Sequence, residues 1–310
     1  MSPNDRLSRL GLFTPEFPDA EALHQGLARW NHRRLALQTP SESWMLDLAA
    51  DHRMLRLEGA FVEAFREHVA PQAAEAPDDP DGFVTWFEAL RDTGPGQWDP
   101  LFDWLAAEAE LEQMKWFLTQ EAAGEAGFDD LVAMTQVKLP ARAKLELARN
   151  YWDEMGRGNE GGMHGPMLER MVHGLGLKPA IESTCWQSLC LANTMTALAT
   201  TRRYAYQSIG ALGVVELTSP TRVGSVAVGL ERLGRPPEER KYFVLHARLD
   251  VEHSQAWNAE ALAPLIRERP SCARYIAEGA LMRLICGEQC FEAYRSYLWA
   301  HAHPVVYAAE

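Results

Sequence analysis

Apolar residues recur along this chain at spacings of three and four, the period of an amphipathic helix rather than a strand. Between Ser41 and Ala70 the positions Trp44, Met45, Leu48, Leu55, Leu57, Phe61, Phe65 and Val69 follow it, with Ser41 or Ser43 placed to cap the start. This predicts one long helix, or two joined near His52. Helical pattern begins near Glu21, after a Pro-rich polar stretch over residues 1–19 that reads as an arm. Further helix-length segments are expected at 98–123, 139–157, 162–175, 183–217, 221–232, 237–264 and 270–302. Gly and Pro punctuate most of the junctions, including Ser219-Pro220, and acidic, proline-broken turns fall at 76–82 and 92–100. Alternating runs of β-branched residues are nearly absent, so the expected class is an all-α bundle. Residues 1–96 read as an N-terminal arm and helical extension, and 97–310 as the core.

Composition narrows the function. The 310 residues are 47% hydrophobic, ample for a large core. A formal charge of −13, spread along the chain, argues against nucleic acid or anionic membrane as partners. The five cysteines are odd in number, and Cys286 and Cys290 lie four apart rather than in a Cys-x-x-Cys pair, so reduced, buried thiols are expected. The N-terminal residues lack a basic region followed by an apolar stretch, and no apolar run is long enough to span a bilayer. A cytoplasmic, reducing location is the expectation.

The candidate chemistry lies in the predicted helix 237–264. His246, Asp250 and His253 stand at i, i+4 and i+7, which places them within roughly 40° of one another on one helical stripe. Neutral imidazole with carboxylate suits non-haem iron, manganese or zinc. Partner ligands are sought on facing helices. Glu154 ends a helix before a glycine-rich turn, and His164 opens the next one ten residues later. Glu216 is an isolated carboxylate in an apolar, small-residue stretch, and such a group is costly to bury unless something positive meets it. Glu121 and Glu125 lie one turn apart on a largely apolar helix. Glu154, Glu216, Asp250 and one of Glu121 or Glu125 supply four negative charges, which two divalent cations neutralise. With three histidines the shell is also too large for one metal that keeps open positions.

These residues together resemble the haem-oxygenase-like diiron oxidases, the iron-containing redox enzymes, over about residues 100–300. The resemblance rests on Glu154 with His164, Glu216 before His246, and the triplet His246, Asp250, His253. It implies a seven-helix bundle, here with an N-terminal extension, holding two Fe(II) ions and activating O2. Some members of that family recruit a further glutamate from the first core helix, a role that Glu121 matches best, with Glu125 competing. Members diverge into N-oxygenation, oxidative C–C cleavage and decarboxylation, so the resemblance implies the chemistry of oxygen but not the substrate; the expectation is a small organic molecule such as an amine or amino acid. A partner electron donor and a homodimer through the apolar N-terminal helices complete the expectation.

The paired Glu-x-x-His motifs of ferritin-like proteins do not occur in the chain. Haem bound through an axial histidine would leave most of these carboxylates unexplained, and a thiaminase-like cysteine nucleophile fits no better. The rival class is a noncatalytic metal-binding or scaffold protein of the same fold. Leu212, Val215, Phe243 and Leu249 are expected to line the site and exclude water. Arg202, Arg203, Tyr204 and Tyr206 precede Glu216 and are candidates for a substrate carboxylate, although surface ion pairing is the ordinary role for such arginines. Tyr151 and Trp152 read as core. His24, His32, His52, His68, His173, His301 and His303 lack matching partners and read as surface or packing residues.

Overall fold

Three aspartates followed by or close to proline start helices in this protein. In a computed structural model, which describes residues 16–302, the carboxylates of Asp19, Asp79 and Asp99 accept from Ala22 N, Gly82 N and Leu101 N at 2.8–2.9 Å. Pro80 and Pro100 occupy first helical positions, where a missing N–H costs nothing. The proline-broken turns of the sequence are therefore also helix starts.

The order is α1 (Ala20–Leu35), α2 (Trp44–Ala73), α3 (Pro80–Thr93), α4 (Pro100–Ala107), α5 (Leu111–Gly124), α6 (Phe128–Thr135), α7 (Ala141–Glu154), α8 (His164–Leu175), α9 (Trp186–Thr200), α10 (Ala205–Arg232), α11 (Pro237–Ala256), a π-helical turn (Trp257–Leu262), α12 (Ala263–Glu268) and α13 (Ala273–Ala302). No strand occurs among the described residues, and the fold class is the expected helical one. No described helix is long and apolar enough to cross a membrane. Most of the expected arm lies outside the described residues.

Three expected helices are divided differently. The segment 98–123 becomes α4 and α5. The segment 183–217 breaks at Thr201, where Arg202–Tyr204 form a 3₁₀ turn and the Arg202 guanidinium donates to the carbonyls of Met134, Thr135 and Val137. Conversely, α10 runs through Pro220 without ending. Proline there removes the N–H that would have met the Glu216 carbonyl and crowds that carbonyl with its ring, a cost offset by packing of the helix on either side, through Leu217 before it and Val226 after it.

Two apolar clusters make up the core. The larger joins Leu23, Leu27 and Trp30 of α1 and Phe61 and Phe65 of α2 to Leu198, Ile209, Leu212 and Ile276, so the N-terminal helices share the interior of the bundle. The smaller gathers Leu101, Phe117, Met171, Val226, Phe243, Phe291 and Tyr294. Each such fully buried side chain stabilises by roughly 1.5–3 kcal/mol, whereas a solvent-screened pair such as Arg29–Glu182 adds little. Packing, not surface charge, holds the bundle. The long helices α10 and α13 run through both clusters. They cross closely, and a Cβ on Gly210 or Gly279 would collide with the carbonyl oxygen of Ile276 or Gln207. All five cysteines are free; Cys190, Cys272, Cys286 and Cys290 are buried.

This crossing sets an expectation for stability. Gly279→Ala should destabilise the protein by about 1–3 kcal/mol in urea unfolding, because backbone cannot move aside as a side chain can. Gly59→Ala, which meets nothing within 4 Å, should be neutral or stabilising by about 1 kcal/mol.

Candidate metal centre

Glu154 is the last residue of α7, and His164 the first of α8. The turn between them passes through Gly156 with φ +60° and Arg157 with φ 54°, and an isolated antiparallel bridge pairs Met155 with Met163. A side chain at Gly156 would meet the backbone of Gly162 and Met163, so glycine is required for the hairpin to close. The ten-residue separation is thereby folded back on itself. Helix α11 lies against both α8 and α10. His246, Asp250 and His253 are on its buried face, and Glu216 is buried on α10.

These side chains form two overlapping donor groups, Glu154–His164–His246 and Glu154–Glu216–His253, each with its ligand atoms within 4.8 Å of one another. Glu154 belongs to both. Its Oε2 faces His164 Nδ1 at 2.8 Å and His246 Nε2 at 3.5 Å, while its Oε1 faces His253 Nδ1 at 3.7 Å. Glu216 Oε2 lies 3.4 Å from the same His253 Nδ1.

Each histidine turns one nitrogen inward and anchors the other. His246 Nδ1 donates to the Tyr242 carbonyl at 2.7 Å. His253 Nε2 donates to Asp153 Oδ2 at 3.2 Å, and Asp153 in turn pairs with Arg149 and Arg157. His164 Nε2 lies 3.3 Å from Glu125 Oε1 and 3.2 Å from the Tyr242 hydroxyl. Anchoring of this kind fixes the tautomer and aims a lone pair, as second partners of metal-bound histidines do. The carboxylates are braced too, Glu216 by Asn150 Nδ2 at 2.6 Å and Asp250 Oδ2 by the Ser219 hydroxyl.

Among the buried atoms left without a hydrogen bond, Asp250 Oδ1, His253 Nδ1 and Asn150 Oδ1 belong to this centre. An unpaired buried polar atom is expensive; His253 Nδ1 belongs to a donor group, and Asp250 lines the adjoining cavity. The donor set therefore fits a metal, and an imidazole–carboxylate set without thiolate fits iron.

Charge is concentrated here. Burial raises the Glu154 carboxyl, but hydrogen bonds and charge from His164 and His246 outweigh it and hold the group well below its ordinary range. Burial pushes Asp250 up to about 7, and repulsion from Glu216 adds to it. His253 is depressed by burial but raised overall, to about 9, by Glu216 and Glu154. His164 and His246 also rise against burial, through Glu125 and Glu154 for the first and Glu154 and Asp250 for the second. The cluster holds protons where a metal would otherwise neutralise it.

The iron-containing redox enzyme family matches residues 115–288, more than half of the chain. This protein belongs to that family. Among solved structures it is similar to a CADD-like protein of unknown function from Nostoc punctiforme, with a TM-score of 0.51 and 14% identity over 76% of this chain and 98% of that one. A second crystal structure of the same CADD-like protein gives a TM-score of 0.48 and 16% identity over 79% and 98%. At that identity the likeness concerns the fold. No curated protein matches the sequence.

Of the expected ligands in this iron-containing redox enzyme, Glu154, His164, Glu216, His246 and His253 come together, and Asp250 lines the same cavity. Glu121 is placed differently. It lines the cavity, yet its Oε1 accepts from the Tyr294 hydroxyl at 2.8 Å, and it is in neither donor group. Glu125 is nearer, but its carboxylate also accepts from Gly127 N and Phe128 N, ahead of α6, and it orients His164 from outside. Val215 and Phe243 line the cavity, whereas Leu212 is packed in the larger cluster and Leu249 is half-buried outside the lining. Arg203 and Tyr204 engage Glu63 away from the site, and Tyr206 packs against the larger cluster. Trp152 is 53% exposed, lying over Gly158 rather than in the core. His24 is fully buried beside Phe61 and Trp186 and is lowered by burial to about 3, a neutral packing residue. His303 lies outside the described residues. Asp153 and Tyr242 went unread in the sequence, although Asp153 directly precedes Glu154 and Tyr242 stands one turn before His246.

Two outcomes follow. A group raised in the folded state stabilises below its unfolded value and loses that contribution as pH rises through the folded one. His253 thus loses its contribution between pH 6.5 and about 9, and the raised Asp250 acts in the same direction. The melting temperature of chelator-treated protein should therefore fall from pH 6.5 to 9, and bound metal, which displaces those protons, should flatten the fall. Asp153→Asn should weaken metal binding about 10–100-fold, read by competition with a chromophoric chelator.

Proposed function

We propose that this protein is a non-haem diiron oxidase or oxygenase that uses O2 to oxidise a small organic substrate. The observation that carries the reading is Glu154, one buried carboxylate whose two oxygens face two different sets of donors. Glu154, which belongs to both donor groups, would hold the irons together with His164, His246, Glu216 and His253. Asp250, with one oxygen unpaired, would complete the set. Bound as a ferrous pair, the metal would supply the electrons that reduce dioxygen.

The protein's own groups would do the rest. Tyr242 holds His246 through its carbonyl and places its hydroxyl beside His164. Asp153 fixes the direction of His253, and Ser219 that of Asp250. A cavity of about 170 Å³ adjoins the cluster, and Phe128, Val215 and Phe243 on its wall would keep bulk water from the reacting centre. That space suits a small substrate bound next to the donors. Reducing equivalents beyond the iron pair would come from the substrate or from a separate electron donor.

Anaerobic iron titration should saturate near two per chain, and oxygen addition should give a transient visible band with measurable O2 uptake. The variant His246→Ala, Asp250→Ala should lose at least about 100-fold in uptake. Undiminished uptake in that variant would overturn the reading. Metal-dependent melting without any oxygen consumption would instead support a noncatalytic metal protein.

A further inference from the structure

Buried arginines in this protein normally meet a carboxylate. Arg34 pairs with Glu58 at 2.6 Å and Arg66 with Glu278 at 2.7 Å. Two arginines on the wall of the cavity depart from that pattern. The only hydrogen bond of Arg222 among the described residues goes from its Nη2 to Thr218 Oγ1, at 2.9 Å, and Arg283 has neither hydrogen bond nor ion pair there. The acid near both is Glu121, which accepts from the Tyr294 hydroxyl and whose carboxyl is raised by burial. Arg222 is pushed down to about 9, first by burial and then by the like charge of Arg283. Two guanidiniums on the cavity wall thus have one carboxyl near them, and it already accepts from Tyr294. That arrangement is costly unless an anion completes it.

The position of the pair is as informative as its charge. Arg222 lies six residues beyond Glu216 on α10, about 9 Å further along the axis. Arg283 reaches the same cavity from α13. The cavity wall also carries apolar side chains, Val215, Val223, Phe243 and Phe291, the last with the Arg222 guanidinium 5.4 Å over its ring.

We propose that Arg222 and Arg283 form a carboxylate-binding subsite, so that the substrate is a small organic acid held by its carboxylate with its apolar body directed toward the donor cluster. Planar guanidiniums match carboxylate geometry. The assignment of the far end as the oxidised end rests on the oxidase reading, but binding of the carboxylate does not.

Binding is tested with linear carboxylates from acetate to octanoate, each beside its neutral amide, by calorimetry on the metal-free and the iron-loaded anaerobic protein. At least one acid should bind about tenfold or more tightly than its amide in both forms. Arg222→Met and Arg283→Met should each remove about tenfold of that affinity, and Arg283→Lys should retain part of it. Equal binding of acid and amide by the unmodified protein, or no binding by any acid, would overturn the proposal whether or not the variants fold. So would inorganic phosphate binding where no carboxylate does. Acid binding that needs iron and survives both arginine substitutions would place the carboxylate on the metal instead, and would also overturn it. Loss of O2 uptake with acid binding intact would defeat the oxidase reading alone.

Discussion

Bringing Glu154 and Glu216 together in a nearly dry interior is the constraint from which the rest of the centre follows. Two carboxylates so placed repel each other and forfeit hydration. The structure meets that cost with imidazoles on three sides, and each imidazole is held by something further out. Asp153 is needed because His253 must not rotate, and Arg149 and Arg157 are needed because Asp153 is itself an acid near the interior. The polar network thus widens outward in rings, with net charge handed toward the surface.

The apolar architecture serves the same end. The cavity is walled by residues of both hydrophobic clusters, Phe128 and Leu131 from one and Phe117, Val226 and Phe243 from the other. Helices α10 and α13 run through both clusters, so their close crossing fixes the distance between the two walls. Helix α10 carries Glu216, Ser219 and Arg222 in succession, which makes it the element that links the donor cluster to the rest of the cavity.

What the sequence disclosed depended on whether a residue's partners were local. His246, Asp250 and His253 could be read as a set because helical periodicity alone puts them on one stripe. Glu154 and His164 could be joined across a glycine-rich turn, and Glu216 stood out as a lone acid among small apolar neighbours. The helical class followed from the same periodicity. The place of Glu121 could not be read, because its partner Tyr294 is 173 residues away. The pairing of α7 to α11 through Asp153 and His253, and the break at Thr201 enforced by carbonyls of α6 and the residues after it, likewise arise from tertiary contact. The cavity arginines were passed over for Arg202 and Arg203, which lie nearer the start of the helix but face other partners.

The hairpin between α7 and α8 has a consequence for how this centre can vary. Since Met155 and Met163 are bridged and Gly156 is pressed against Gly162, an inserted or deleted residue there would rotate His164 away from Glu154 instead of being absorbed as slack. Two of the five grouped donors, Glu154 and His164, are therefore set by one short stretch of contiguous chain whose span is fixed in length. Diversification of such a scaffold is left to the opposite wall of the cavity, where side chains can change without re-registering the backbone.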